Sequence, residues 1–322
     1  MIEEDTLEPP KSPDDPLLLS FEARVMKLSQ PRAEIFVPDG LPVKKALART
    51  THMAIGAHPD DLELMAAWPI LECFQNARNW FCGVTLTNGG GRARAHTYAR
   101  YTDRQLERVR RKEQNKAALI GEYSAMVHLA YPSTAIKTFA RHKALEDLKK
   151  LLFAAAPECL FTHNLADKHD THVATAVLVI YTVRQLPAKY RPKALYGCEL
   201  WRSLDWMLDK DKAIFDVSSR EHLTSALIGV FDSQIGRKRY NLAAMGRKCA
   251  NATYLDPHTA DHATALEYSM DLTPLIHDST LDLCEYIRGY TQRFAADVRA
   301  RISKFIPLTF KVRKARGEKS LS

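Results

Sequence analysis

The sequence predicts an α/β fold: a mainly parallel sheet with helices on both faces, followed by a mostly helical C-terminal extension. Three observations predict it. Short apolar runs alternate with stretches of helical period between residues 52 and 200. Polar, titratable clusters follow two of those runs, where the strands of an open parallel sheet deliver ligands. From about residue 237 onward the period is helical.

The elements follow in order. Residues 1–50 read as an irregular leader, acidic and proline-rich at its start. A strand at 52–57 leads into a helix at 59–77, and a second strand at 80–87 ends in the turn "NGGGR". A helix at 102–120 carries Leu106, Val109, Ala117 and Ile120 at helical spacing. A strand at 125–130, a helix at 142–155, the strand "ECLFTH" at 158–163, a helix at 172–185 and a strand at 194–200 complete the series. The extension at 237–322 includes a long amphipathic helix at 279–305 and a basic tail, "KVRKARGEK". It has three candidate roles: packing on the sheet, covering its active face, or making a homo-oligomer contact.

With 322 residues the chain can bury one large α/β core, and its 46% hydrophobic and 26% charged content is ordinary for a globular protein. The formal charge of +8 is concentrated in residues 92–112 and 311–319. The tail reads as a solvated end, which argues against nucleic acid as the partner. Six scattered cysteines without a CxxC pair indicate reduced thiols, and hence a cytoplasmic protein. The start lacks the basic, then apolar, order of a signal peptide, and no apolar run reaches about 18 residues, so no membrane partner is expected.

The stretch "MAIGAHPDDLEL" places His58, Pro59, Asp60 and Asp61 just past the first strand. His58 and Asp61, three apart on a turn entering a helix, can face one point, while Asp60 faces elsewhere. Pro59 stiffens the turn. After "ECLFT" come His163, His169 and His172; the last two share the three-residue spacing, so one can complete a coordination set while the other stays open to substrate. Two histidines, a carboxylate and an open position form the pattern of a catalytic zinc site, although Fe2+ or another divalent ion suits the same donors. Water at such a site becomes a nucleophile near neutral pH, and Asp60 is then the candidate general base.

"AHPDD" after the first strand, a Gly-rich turn after the second, Arg110 and Glu113 as "RxxE", and the later "HxxH" together resemble the LmbE/PIG-L family of zinc-dependent N-deacetylases, over residues 51–234. The resemblance implies a Rossmann-like fold and, for residues 51–236, a metal-dependent deacetylase domain that removes an N-acyl group, most often acetyl, from an amino sugar or related glycoside. Carried over by position, His58, Asp61 and His172 are the zinc ligands and Asp60 the base. His169 stabilises the oxyanion or protonates the leaving amine. Two positions depart from the family pattern. Leu62 stands where an acidic residue usually follows the Asp pair, with Glu63 one place later, and Asp170-Thr171 replaces Pro-Asp between the two histidines. Asp167 and Asp170 are candidates for the displaced orienting carboxylate.

Other stretches have two readings. "TNGGGRARAH" is either a flexible turn or a loop in which Arg92 and Arg94 bind substrate. Arg110 either pairs with Glu113 on its helix or contacts substrate. The aromatics of "ELWRSLDW" fit core packing better than sugar stacking. The competing functions are an HD-type metallophosphohydrolase, suggested by His169-Asp170 but all-helical in fold, and a non-catalytic carbohydrate- or nucleic-acid-binding relative.

Overall fold

The computed structural model describes residues 26–91, 94, 96–138, 141–236 and 238–307. The chain begins with β1 (Glu34–Phe36), α1 (Val43–Ala48), β2 (His52–Gly56), α2 (Asp61–Met65), α3 (Ala67–Cys73) and β3 (Phe81–Thr87). It continues through α4 (Asp103–Ile120), β4 (Ala125–Tyr131), α5 (Ser133–Ile136), α6 (His142–Ala155), β5 (Cys159–His163), α7 (Asp170–Arg184) and β6 (Ala194–Cys198). Last come β7 (Lys212–Asp216), α8 (Glu221–Gly229), α9 (Asp232–Ile235), α10 (Tyr240–Thr253), β8 (Leu266–Asp271), α11 (Thr273–His277) and α12 (Leu283–Phe305).

The strands form one sheet in the order β1-β4-β3-β2-β5-β6-β8-β7. Its centre, β4-β3-β2-β5-β6, is parallel, whereas β1, β8 and β7 join antiparallel. From β2 the chain steps to β3 and β4 on one side, then returns to place β5 on the other. The crevice between the ends of β2 and β5 is therefore the switch point at which open α/β sheets bind ligands. Alternation along β2 sends Met53 and Ile55 into one core and Ala54 into the other. The first core receives Leu148 and Leu152 of α6 and Val179 of α7. The second receives Leu62 and Met65 of α2, Ile70 of α3 and Ala117 of α4. Both faces are covered, which the near-continuous apolar strands require.

Two expectations need correction, and two strands join the sheet without having been anticipated. The described part of the leader is not irregular: Glu34–Phe36 pairs with β4 and α1 packs Ala46 and Leu47 into the core. The helix expected at 59–77 breaks at Ala66, because the Pro69 ring removes an amide and clashes with the carbonyl four residues back. The second segment starts there, with the Glu267 carboxylate accepting from Ala67 N and Trp68 N at 3.0 Å each. Strand β7 escapes the sequence reading. The region beyond 236 is mostly helical as expected, but it also supplies β8, inserted between β6 and β7. The basic tail at 311–319 lies outside the described residues.

All six cysteines are free thiols, and burial pushes Cys73, Cys82 and Cys198 up to about 12. Among the described residues, no helix is long and apolar enough to cross a membrane.

Two predictions follow from this packing. Burial, reinforced by the Arg111 charge, pushes His128 from 6.5 down to about 3. The unfolded chain thus binds a proton that the fold does not, so the stability His128 contributes is full above about pH 6.5 and falls as pH drops towards 3. Replacing it by the untitratable His128→Gln should remove about 2–3 kcal/mol of the stability lost between pH 6.5 and 4.5. Equal pH slopes for variant and wild type in urea unfolding would refute this. Second, Gly89 has φ +69°, and a Cβ there would stand 3.1 Å from Arg110 Cδ and 3.2 Å from the Pro59 ring. Gly89→Ala should cost about 1–2 kcal/mol in the same assay.

Candidate metal and catalytic site

The tip of β2 turns sharply through His58-Pro59-Asp60-Asp61 into α2. Asp60 has φ +87°, a left-handed conformation rare outside glycine. The turn is held from three sides. Asp61 Oδ2 accepts from His58 N at 2.7 Å, Gln114 Oε1 accepts from Asp60 N at 3.1 Å, and Gln234 Nε2 donates to Pro59 O at 2.9 Å. Gly56 lets α2 lie close to β2: a Cβ on it would be 3.1 Å from Asp61 Cβ.

Three donor atoms converge where this turn meets the start of α7. His58 Nδ1 is 3.1 Å from Asp61 Oδ2, His172 Nε2 is 3.4 Å from Asp61 Oδ2, and His172 Nε2 is 3.3 Å from His58 Nδ1. Ligands about 2.1 Å from one cation, at angles between octahedral and tetrahedral, stand roughly 3.0–3.4 Å apart, so the set fits a divalent ion. His172 Nδ1 lies 3.5 Å from Asp167 Oδ2, which directs Nε2 towards the cluster. Electrostatics agree with the geometry. Burial opposes charge on Asp61, but His172, His58 and His163 around it outweigh burial and hold its carboxyl well below the usual range. Desolvation likewise opposes charge on His172, yet Asp61 and Asp167 push it up to about 9. A field that favours an imidazolium favours a metal cation equally.

His163, at the end of β5, is a residue to which the sequence assigned no role. Its Nε2 lies 3.2 Å from Asp61 Oδ2 and its ring stacks on His172 at 3.8 Å. That nitrogen accepts from Ala57 N at 2.9 Å, so its lone pair ties β5 to the turn. Burial, with His172 adding to it, pushes His163 down to about 4, which keeps it neutral. Its signal in the sequence is only a histidine closing an apolar run.

His169 caps α7: its Nδ1 accepts from Thr171 N at 3.2 Å. The neutral ring therefore carries its proton on Nε2. The ring stacks on His172 at 4.5 Å and meets His58 edge-on at 5.1 Å. Of the two candidates for the orienting carboxylate, Asp167 holds the His169 backbone, accepting from its N at 2.9 Å, and faces the His172 ring. The His169 ring is oriented by the Thr171 amide instead.

Asp60 and Asp61 border a cavity of about 420 Å³ whose other walls include Leu64, Trp201, Tyr240 and Ala244. The C-terminal extension adds β8 to the sheet and, through α10, lines this cavity. Two of the three arginines expected at the substrate have partners within the protein. Arg92 is outside the described residues, Arg94 pairs with Asp103, and buried Arg110 donates to the Gly89 carbonyl. Glu113 accepts from Ser233 N at 2.8 Å and Ser233 Oγ at 2.6 Å. The "RxxE" pair thus braces the Gly-rich turn and α9. Glu63 is buried and accepts from Gln114 Nε2 at 2.6 Å and Tyr123 OH at 2.8 Å; desolvation pushes it up to about 8.

Residues 53–183 match the family described as PIG-L, GlcNAc-PI de-N-acetylase. No curated protein matches the chain in sequence. Among solved structures, the N,N'-diacetylchitobiose deacetylase of Pyrococcus horikoshii in complex with its inhibitor MPG is similar at TM-score 0.56 and 17% identity, over 71% of this chain and 86% of that one. The 4-carboxy-2-hydroxymuconate hydratase GalB of Pseudomonas putida KT2440 is similar at TM-score 0.54 and 18% identity, over 69% and 96%. The A40926 pseudoaglycone deacetylase Dbv21 is similar at TM-score 0.51 and 15% identity, over 69% and 97%. At such identities these likenesses establish the fold, which here carries both deacetylases and a hydratase. The eight-stranded sheet also differs from the all-helical HD class. The switch-point site and the strand order fit the sequence match: over residues 53–183 the chain is similar to the PIG-L family.

Proposed function

We propose that the protein is a metal-dependent hydrolase that removes an N-acyl group, acetyl foremost, from an amino sugar or related glycoside, with zinc as its ion. The observation that carries this reading is the convergence of His58 Nδ1, Asp61 Oδ2 and His172 Nε2 within 3.1–3.4 Å of one another, beside Asp60 on the wall of a cavity. The PIG-L match and the likeness to deacetylases support the same chemistry. His58, Asp61 and His172 would hold a divalent ion, which when bound would supply Lewis acidity towards the amide carbonyl and the attacking water.

The chain's own groups do the rest. Asp60 accepts a proton from the attacking water and delivers it to the departing amine. His169, its Nδ1 engaged by Thr171 N, offers Nε2–H to the oxyanion of the tetrahedral intermediate. Arg110 and Gln114 act without touching substrate, the first through Gly89 and the second through the Asp60 amide.

Two predictions test this reading. The full-length protein should hold about one divalent ion per chain by elemental analysis, and His172→Ala should lose it while retaining the fold; full occupancy in that variant would remove His172 from the ligand set. Asp60→Asn should keep the metal but lower turnover of an N-acetyl amino sugar by roughly 100-fold or more, with little change in binding. Undiminished acetate release by Asp60→Asn would rule out Asp60 as the base.

A further inference from the structure

The cavity beside Asp60 is shaped for more than an acetyl group and a sugar ring. Its volume of about 420 Å³ compares with about 30 Å³ for one water in the liquid, so it holds roughly a dozen water-sized volumes. Leu64 and Met65 of α2 line one side; Leu200, Ala243 and Ala244 contribute to the others.

Of the charged side chains that reach the cavity, Glu199, Glu267, Lys248 and Arg247 are engaged with protein partners, whereas Arg239 is exposed at its edge. Glu199 accepts from Leu204 N at 3.0 Å and from the Asn251 amide. Glu267 accepts from Ala67 N and Trp68 N and pairs with Lys248 at 2.7 Å, while Lys248 also donates to Leu64 O at 2.9 Å. Arg247 donates to the Leu200 carbonyl. Trp201 has the Lys238 ammonium 4.4 Å from its ring centroid and the Tyr240 ring at 5.9 Å. Sugar hydroxyls buried here would exchange water for poorly matched partners, which is costly, whereas an alkyl or aryl group would lose nothing and bury apolar area.

Most of these walls lie outside the residues that match the PIG-L family. Leu200, Trp201, Ala243 and Ala244 follow residue 183, and the helix bearing the alanines belongs to the C-terminal extension. Most of the compartment's walls thus come from residues beyond that match.

We infer that the substrate carries an apolar group of medium alkyl or aryl size, seated between α2 and α10 while its amide lies at Asp60. This rests on the hydrolase reading above. The group is either the N-acyl chain itself or an aglycone on the sugar, and the probes distinguish the two.

The experiment uses the full-length, zinc-loaded protein with methyl N-acetyl-β-glucosaminide, octyl N-acetyl-β-glucosaminide and N-octanoylglucosamine, followed by amine release and by calorimetric binding. One octyl compound should exceed the methyl glycoside in kcat/KM by roughly 10- to 100-fold. Preference for the octyl glycoside marks the aglycone, and preference for the octanoyl amide marks the acyl chain. Ala244→Phe, and Ala243→Leu on the same helix, should shrink that ratio towards one by filling the space. Hydrolysis without preference overturns the inference, as does a preference that neither variant reduces. If none of the three is hydrolysed, binding decides separately. Tighter binding of an octyl compound that Ala244→Phe reduces sustains the apolar compartment while the hydrolase reading falls, and equal binding of all three removes the compartment.

Discussion

The site depends on one strained residue. Asp60 occupies left-handed backbone space that costs a non-glycine residue about 1–3 kcal/mol, and the surrounding bonds keep it there. Gln114 takes its amide, Gln234 takes the carbonyl of Pro59, and Asp61 closes the turn onto the His58 amide. The reversal separates two adjacent carboxylates that an unbroken helix would hold on one path. Asp61 turns down among three imidazoles, and Asp60 turns to the cavity wall. A smooth strand-to-helix joint would not give two neighbouring acids two different electrostatic surroundings.

Helix α4 is the strut behind that turn, and it shows where sequence reading succeeds and fails. Its position and ends were legible: the helix expected at 102–120 spans Asp103–Ile120, and Thr102 and Gln105 form a reciprocal cap at its start. Its buried face was not. Helical spacing selected Leu106, Val109, Ala117 and Ile120, yet Ile120 is 37% exposed, whereas Arg110, Glu113 and Gln114 are buried. Those three sit inside because their partners, Gly89, Ser233, Glu63 and the Asp60 amide, belong to loops and helices far away in sequence. Periodicity scores apolarity and cannot register a polar residue whose hydrogen bonds are completed by the fold.

The same distinction runs through the rest of the molecule. The convergence of His58, Asp61 and His172 was legible because each cluster is local and each follows a strand whose end the topology fixes. The capping contact of His169 was not, since it depends on which backbone amide the helix start presents to Nδ1. Strands β1 and β8 were missed for a related reason. Both join the sheet antiparallel to strands distant in the chain; β1 has only three residues, whereas the apolar–polar alternation of β8, LEYSMD, was present in the sequence but lies within a mostly helical stretch.

The insertion of β8 then determines how the site is enclosed. Between α10 and β8 runs the buried Lys248–Glu267 pair, and the Glu267 carboxylate also receives the first amides of α3. Those amides point at Glu267 only because Pro69 stops the preceding helix at Ala66. Lys248 donates in addition to Leu64 O, one turn beyond Asp61. A single buried carboxylate in the extension is thereby fastened to the helix break, and through it to the segment that starts with Asp61. Loss of one partner would leave the other charged and buried, which is far more costly than any surface pair. The wall of the cavity is consequently held in register with the carboxylates by buried charge rather than by apolar packing alone. In a fold that carries hydratases as well as deacetylases, this coupling lets the extension shape the compartment without disturbing the turn that holds the chemistry.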